Sequence, residues 1–284
     1  MADMERITTV FAMQKLANTL RSQGKRISLV PTMGFFHEGH LSLIREAKKL
    51  AEIVVVSIFV NPTQFGPEED FKNYPRDLDR DLILAEREGA NIVFNPDAEE
   101  MYGNRFQTYV RLTDLPDHLC GRSRPTHFRG VATVVAKLFN IIKPHTAIFG
   151  QKDFQQLVII RQMVKDLNYD IEIIGAPLIR EPDGLAMSSR NVHLTPEGRV
   201  AARSLSEGLS EAWEAVKKGS TEIRHLIRIV ENRIRNHPEA IIDYISVVDP
   251  ETLEDMAVVD RPALMALAVR IGNIRLIDNR MLIP

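Results

Sequence analysis

Residues 53–60, Ile-Val-Val-Val-Ser-Ile-Phe-Val, are apolar at every position but Ser57 and run straight into Asn61-Pro62. A run this short and this β-branched, closed by a turn signal, reads as a strand buried on both faces. Runs of the same kind at 27–30 and 91–94 flank it, and residues 41–51 and 77–88 between them space their apolar side chains as helices do. The alternation continues through an expected strand at 108–112, a long helix at 128–142, a strand at 146–149, a helix at 154–167 and a strand at 171–179. Apolar strands separated by helices require a parallel sheet with helices on both faces, an α/β, Rossmann-like fold. In such a sheet ligands bind beyond the carboxyl ends of the strands, so chemistry is expected in the segments that follow them.

Composition changes after Ile179. Residues 180–191 form a polar loop with Pro182 and Gly184, and Thr195-Pro196 reads as a helix cap with proline in the first turn. Helices at 196–218 and 221–236 and strands at 240–248 and 263–271 follow, so the chain is expected to divide into domains 1–179 and 180–284. With 44% apolar residues the core needs no disulfide staple, and Cys120, the only cysteine, excludes an internal disulfide or a cysteine-based metal cluster. A formal net charge of −2 gives no basic footprint for nucleic acid. No apolar run is long enough to span a bilayer. Residues 1–20 carry Asp3 and Glu5 and lack the continuous apolar stretch of a secretory signal. A cytoplasmic protein is expected.

Four segments carry the chemistry. The first is Pro31-Thr32-Met33-Gly34-Phe35-Phe36-His37-Glu38-Gly39-His40. Gly39 lets a ligand approach the backbone, the amides opening a helix near His40 favour an anion, and two imidazoles can donate to a polyphosphate. That pattern suits adenylate formation. Zinc is disfavoured, because the histidines stand at i and i+3 rather than i and i+4 and no third ligand follows. The second segment, Asn61-Pro62-Thr63-Gln64-Phe65-Gly66, sets an amide beside an aromatic ring, which suits a small polar substrate with an apolar body. The third, Phe149-Gly150-Gln151-Lys152-Asp153-Phe154-Gln155-Gln156, offers a point charge for phosphate and a carboxylate able to cap a helix or meet a ribose hydroxyl. The fourth, Gly184-Leu185-Ala186-Met187-Ser188-Ser189-Arg190-Asn191, reads as a flexible anion clamp. Each alone suits a plain turn or solvated loop; together they are an improbable coincidence. Neither Gly-x-x-x-x-Gly-Lys-[Ser/Thr] nor Gly-x-Gly-x-x-Gly occurs, which disfavours kinases and dinucleotide oxidoreductases.

With these segments in hand the chain resembles the pantothenate synthetase (pantoate–β-alanine ligase) family, within the HxGH nucleotidylyltransferase superfamily. The resemblance spans essentially the whole chain. It includes Val30-Pro31-Thr32-Met33-Gly34, Ser57-Ile58-Phe59-Val60-Asn61-Pro62, Arg124-Pro125-Thr126-His127-Phe128-Arg129-Gly130-Val131, Lys152-Asp153, Met187-Ser188-Ser189-Arg190-Asn191 and Arg275-Leu276-Ile277-Asp278-Asn279. It implies ATP-dependent condensation of pantoate with β-alanine through pantoyl adenylate, releasing AMP and pyrophosphate, with Mg2+ arriving on ATP and no dedicated metal site. The resemblance makes His40, His37, Lys152 and Arg190 catalytic. It places Met33, Gly34, Phe35, Phe36, Glu38, Gly39, Gly150, Gln151, Asp153, Ile179, Met187, Ser188 and Ser189 with them around ATP. Gln64 and Gln156 would hydrogen-bond pantoate, and Pro31, Met33, Phe59 and Phe65 would wall its gem-dimethyl group. The family also implies a homodimer through the N-terminal domain, a C-terminal α+β domain acting as a lid over ATP, and no nucleic-acid or membrane partner. Asp79 and Asp81 match positions near the dimer contact rather than metal ligands. Phe35-Phe36 is bulkier than the family pattern, and Gln151 replaces a common Glu. The alternatives are another nucleotidylyltransferase and a non-catalytic nucleotide sensor.

Overall fold

The computed structural model describes residues 4–67 and 69–284; Asp3 of the N-terminal stretch lies outside them. In chain order the elements are β1 (Glu5–Ile7), α1 (Val10–Ser22), β2 (Ile27–Thr32), α2 (Glu38–Leu50), β3 (Ile53–Ile58), α3 (Leu78–Glu88), β4 (Ile92–Phe94) and α4 (Ala98–Tyr102). There follow α5 (Cys120–Ser123), α6 (His127–Ile142), β5 (Thr146–Gly150), α7 (Phe154–Asp166) and β6 (Glu172–Ala176). The last are α8 (Pro196–Lys217), α9 (Ile223–Arg235), β7 (Ala240–Val248), β8 (Ala263–Ile271) and β9 (Ile274–Leu282). They group into two compact units.

The first unit holds Met1–Leu112, Thr126–Gln151 and Ile159–Pro177. Its six strands form one parallel sheet in the order β1-β4-β3-β2-β5-β6. From β2 the chain works outward through β3 and β4, then returns to lay β5 on the other side of β2. That reversal is the switch point of an open α/β sheet, where the carboxyl ends of neighbouring strands part to make a crevice. Val30, Val54, Val56, Ile58, Val93 and Ile148 pack on one face against Phe36, Leu43, Ile44 and Ala47 of the α2 segment and Ala85 of α3. The alternate residues Leu29, Val55, Phe94, Ala147 and Phe149 are buried on the other face.

The structure corrects the expected elements in several places. Residues 108–112 form no strand; the Val110 N–H donates instead to Thr133 Oγ1 of α6 at 3.0 Å. The strand expected to reach Ile179 stops at Ala176, because Pro177 has no N–H to extend the ladder. The strand begun at Ile53 ends at Ile58, where Asn61-Pro62 turns the chain. β1, α1 and β9 were not foreseen, although Thr9 caps α1 and the two-residue Gly272-Asn273 turn pairs Ile271 with Ile274.

The second unit is Thr113–Pro125, Lys152–Val158 and Leu178–Pro284. A three-stranded antiparallel sheet, β7-β8-β9, packs Met265, Leu267 and Val269 against Leu205, Leu209 and Ala212 of α8 and Leu226, Val230 and Ile234 of α9. A single cut at 179 therefore does not describe the chain, which enters this unit three times. Polar side chains explain why. Gln155 accepts from the Cys120 N–H at 3.0 Å and donates to the carbonyls of Leu115 and His118 at 3.0 and 2.7 Å. Arg275 of β9 donates to Asp243 at 2.7 Å and reaches Ser123 and the Cys120 sulfur at 3.4 and 3.6 Å. The Gln155 bonds satisfy backbone groups of a short excursion that lacks a ladder of its own, and Arg275 ties its side chains to β9.

Candidate active site

The amides of the loop leaving β2 are taken up by side chains of the fold. Gly34 N–H donates to Thr32 Oγ1 at 3.2 Å, and Phe35 and Phe36 N–H donate to the two carboxylate oxygens of Asp81 at 2.6 and 2.7 Å. Asp81 sits on α3, is 1% exposed, and holds two successive left-handed residues, Gly34 at φ 82° and Phe35 at φ 52°. A Cβ on Gly34 would stand 2.9 Å from the Asp81 oxygen, so only glycine fits there. Burial pushes the Asp81 carboxyl above the usual range, against the two amides that favour its charge. The Phe36 ring is 1% exposed in the core, so this side chain builds the loop rather than lining a ligand site. Glu38 turns outward and pairs with Arg45.

The histidines cap α2, which begins at Glu38 rather than near His40. His37 Nδ1 accepts from Gly39 N–H at 3.1 Å, and His40 Nδ1 accepts from His37 N–H at 3.4 Å. The rings stand 4.1 Å apart at 36°. Of the helix amides expected to meet an anion directly, that of Gly39 is thus engaged by imidazole. A nitrogen that accepts carries no proton, so the neutral rings hold theirs on Nε2. Each ring thus presents an Nε2–H donor.

Beyond β3, the turn Pro62–Gln64 is built around Asn61, which is 1% exposed. Asn61 Nδ2 donates to Gly130 O at 3.1 Å and to Gln64 Oε1 at 3.0 Å. Asn61 Oδ1 accepts from Thr63 N–H at 3.3 Å and from the Tyr102 hydroxyl at 2.5 Å. A carbonyl can only accept and a backbone N–H only donate, so the orientation of this amide is determined. Gln64 consequently turns its NH2 the other way, 3.2 Å from the Met33 sulfur. A Cβ on Gly130 would meet Thr63 O at 2.4 Å; glycine lets α6 press against this turn. Burial pushes the Tyr102 hydroxyl up to about 12, which keeps its proton in place for Asn61. Phe59 is buried beside Tyr102, and Phe65 packs edge-on to Phe71 and Tyr74.

Pro31, Met33, His37, His40, Phe59 and Gln64 therefore follow or end the adjacent strands β2 and β3, and Gly150 with Gln151 ends β5 on the other side of β2. Gln151 Nε2 donates to Gly175 O at 3.3 Å. Lys152, Asp153, Gln156, Ile179 and Met187 to Arg190 belong to the second unit. There Met187 N–H donates to Ile179 O at 3.0 Å, and Ser188 Oγ accepts from Arg190 N–H at 3.3 Å. The clamp expected to be flexible is strapped: Asn191 Nδ2 donates to Glu181 at 2.7 Å and to Ala186 O at 3.0 Å, and Arg199 binds Glu181 and Asp183. Asp81, Asn61 and Tyr102 were not assigned site roles from sequence. Asn61 had a signal in Asn-Pro; Tyr102 had none, and Asp81 was matched to a position near the dimer contact, whereas it is buried and holds the loop after β2.

The model of the Pantoate-beta-alanine ligase family matches residues 5–281. The chain belongs to this family. A pantothenate synthetase from Desulfatibacillum aliphaticivorans is 56% identical over 281 residues, 99% of this chain and 100% of the relative. The crystal structure of pantothenate synthetase from Thermus thermophilus superposes with a TM-score of 0.94 at 42% identity, covering 99% of this chain and 100% of that one. The pantoate-beta-alanine ligase from Francisella tularensis, solved with Beta-gamma ATP and beta-alanine, gives 0.80 at 33% identity over 98% and 97% of the two chains. The Rossmann-like sheet and the smaller antiparallel sheet of this chain are those of the ligase fold.

Proposed function

We infer that this ligase condenses pantoate with β-alanine at the expense of ATP, releasing AMP and pyrophosphate through pantoyl adenylate. A pantoate carboxylate oxygen attacks the α-phosphorus, a P–O bond forms, and the bond to the β-phosphate oxygen breaks. The β-alanine amine then attacks the acyl carbonyl and AMP departs. Chemistry of this kind needs positioning and charge neutralisation more than covalent help.

One observation carries the assignment of the first step to the loop after β2. Two adjacent imidazoles, each accepting a backbone N–H at Nδ1, hold their protons on Nε2, as donors to phosphate must. His40 stabilises the transferring phosphate and His37 the neighbouring one. Lys152 neutralises charge building on the α-phosphate, and Ser188, Ser189 and Arg190 take the triphosphate. Mg2+ enters on the triphosphate oxygens; among the described residues no three His, Cys, Asp or Glu side chains are grouped to hold a metal. Gly34, Gly150, Gln151, Asp153, Ile179 and Met187 line the nucleotide.

Gln64 presents its NH2 to pantoate, whose oxygen accepts better than the Met33 thioether it replaces. Gln156 supplies the second amide, and Pro31, Met33, Phe59 and Phe65 meet the methyl groups. The resemblance to the family supports a homodimer through the first unit; sedimentation equilibrium tests that. No described helix is long and apolar enough to cross a membrane. We place the enzyme in the cytoplasm.

The deciding experiment is label exchange between pyrophosphate and ATP in the presence of pantoate and Mg2+ but no β-alanine. Exchange that requires pantoate, followed by pantothenate release once β-alanine is added, is expected. Folded protein with neither activity overturns the reading.

A further inference from the structure

The segment Arg275-Leu276-Ile277-Asp278-Asn279 on β9 stands far in sequence from every proposed catalytic group, yet its polar side chains reach two of the segments that carry them. Asp278 is 3% exposed and receives a bidentate bond from Arg180, at 2.6 and 2.9 Å. Arg180 opens the polar loop and also donates to Gly184 O at 3.1 Å, at the start of the clamp segment. Asp278 Oδ1 accepts from the Asn279 N–H at 2.7 Å, which fixes the backbone of Asn279. Asn279 Nδ2 then donates to the Lys152 carbonyl at 2.8 Å, across 127 residues. Lys152 lies in the one-turn helix Gln151–Asp153, where its carbonyl is held from outside the turn. One buried ion pair thus braces the Gly184 end of the clamp and, through the next residue, the backbone that carries the lysine.

We propose that Asn279 is a positioning residue for adenylation, acting through the Lys152 backbone, with the Asp278–Arg180 pair as the anchor it shares with the clamp loop. The inference rests on the role given to Lys152 above. A lysine side chain is long and rotamer-rich, so a stem displaced by a fraction of an ångström moves the ammonium away from a developing phosphate charge. Substrate contacts made elsewhere would not change.

The test is a double-mutant cycle on pantoate-dependent exchange, using the full chain. N279A is expected to lower kcat about tenfold to a hundredfold with the KM for pantoate held within about twofold. In a K152A background N279A is expected to add nothing, because the group it positions is gone. N279D, which keeps the shape but turns an oxygen toward the Lys152 carbonyl, is expected to lose at least as much. Thermal melts show whether each variant is folded, and N279D carries the test if N279A is not. Equal loss from N279A with and without Lys152, or a fully active N279D, overturns the proposal. Wild-type protein without exchange would overturn the functional reading instead.

Discussion

Asp81 offers the sharpest test of how the phosphate loop is built. Its two oxygens each accept one backbone N–H, from Phe35 and Phe36, in a site only 1% exposed. Asp81→Asn keeps one acceptor and turns an NH2 toward the other N–H, donor against donor. Losing one charge-assisted bond costs about 1.5–3 kcal/mol, and leaving a buried N–H without a partner about 1–3 kcal/mol more. Relief of the carboxylate's desolvation, which already raises its pKa, offsets part of this and leaves about 2–4 kcal/mol. Without the clamp the left-handed pair Gly34 and Phe35 relaxes, and the cap carrying His37 and His40 moves with it. We expect kcat for pantothenate formation to fall about 10–100-fold, since displacements near 1 Å cost that much in positioned catalysis. Urea unfolding followed by circular dichroism measures stability, and initial rates at saturating substrates measure kcat. A D81N enzyme within about 0.5 kcal/mol of wild type, with undiminished kcat, refutes the argument.

The other predictions concern the remaining polar networks. Tyr102→Phe removes one of the donors to Asn61 and leaves Thr63 N–H and Oγ1 in place, so about 0.5–1.5 kcal/mol should be lost. Urea unfolding followed by circular dichroism should show that loss, and a Y102F protein as stable as wild type would contradict it. His40→Ala should cut turnover about a hundredfold or more in a folded protein, and undiminished turnover removes His40 from the mechanism. His145 accepts the Ile27 N–H at 3.0 Å, and burial, aided by Arg21 and Arg26, lowers its pKa below the ordinary 6.5. The native state then binds fewer protons than the unfolded chain. The contribution to stability is complete above pH 6.5 and is lost as pH falls through the lower folded value. Urea midpoints between pH 7.5 and 5 should fall more steeply for wild type than for His145→Gln, and parallel curves would exclude this origin.

Much of the first unit was legible because its strands are buried on both faces and so are written as continuous apolar runs, while α2 and α3 keep helical spacing. The segment at 108–112 misled because alternating Thr, Val and Leu satisfy the local pattern of a strand, whereas Val110 gives its N–H to a helix hydroxyl. Gln64 was singled out from the sequence as an amide just past a strand end. The direction of that amide was not, since it depends on Gly130 and Tyr102, brought beside Asn61 only by the fold. Likewise nothing near Ile179 announced that 113–125 and 152–158 would join the second unit, because one glutamine and one arginine make that choice.

By itself the sequence determined the parallel sheet, the histidine loop at the end of its central strand, and a resemblance that spans nearly the whole chain. These are properties of local pattern and motif, carried by residues close together in the chain. Only the tertiary structure decided that the amides of Phe35 and Phe36 belong to Asp81, and that Asn279 holds the backbone of Lys152. Such bonds join residues tens to more than a hundred positions apart. A buried donor takes whichever acceptor the packed chain brings within about 3 Å, and that acceptor leaves no periodic trace along the sequence.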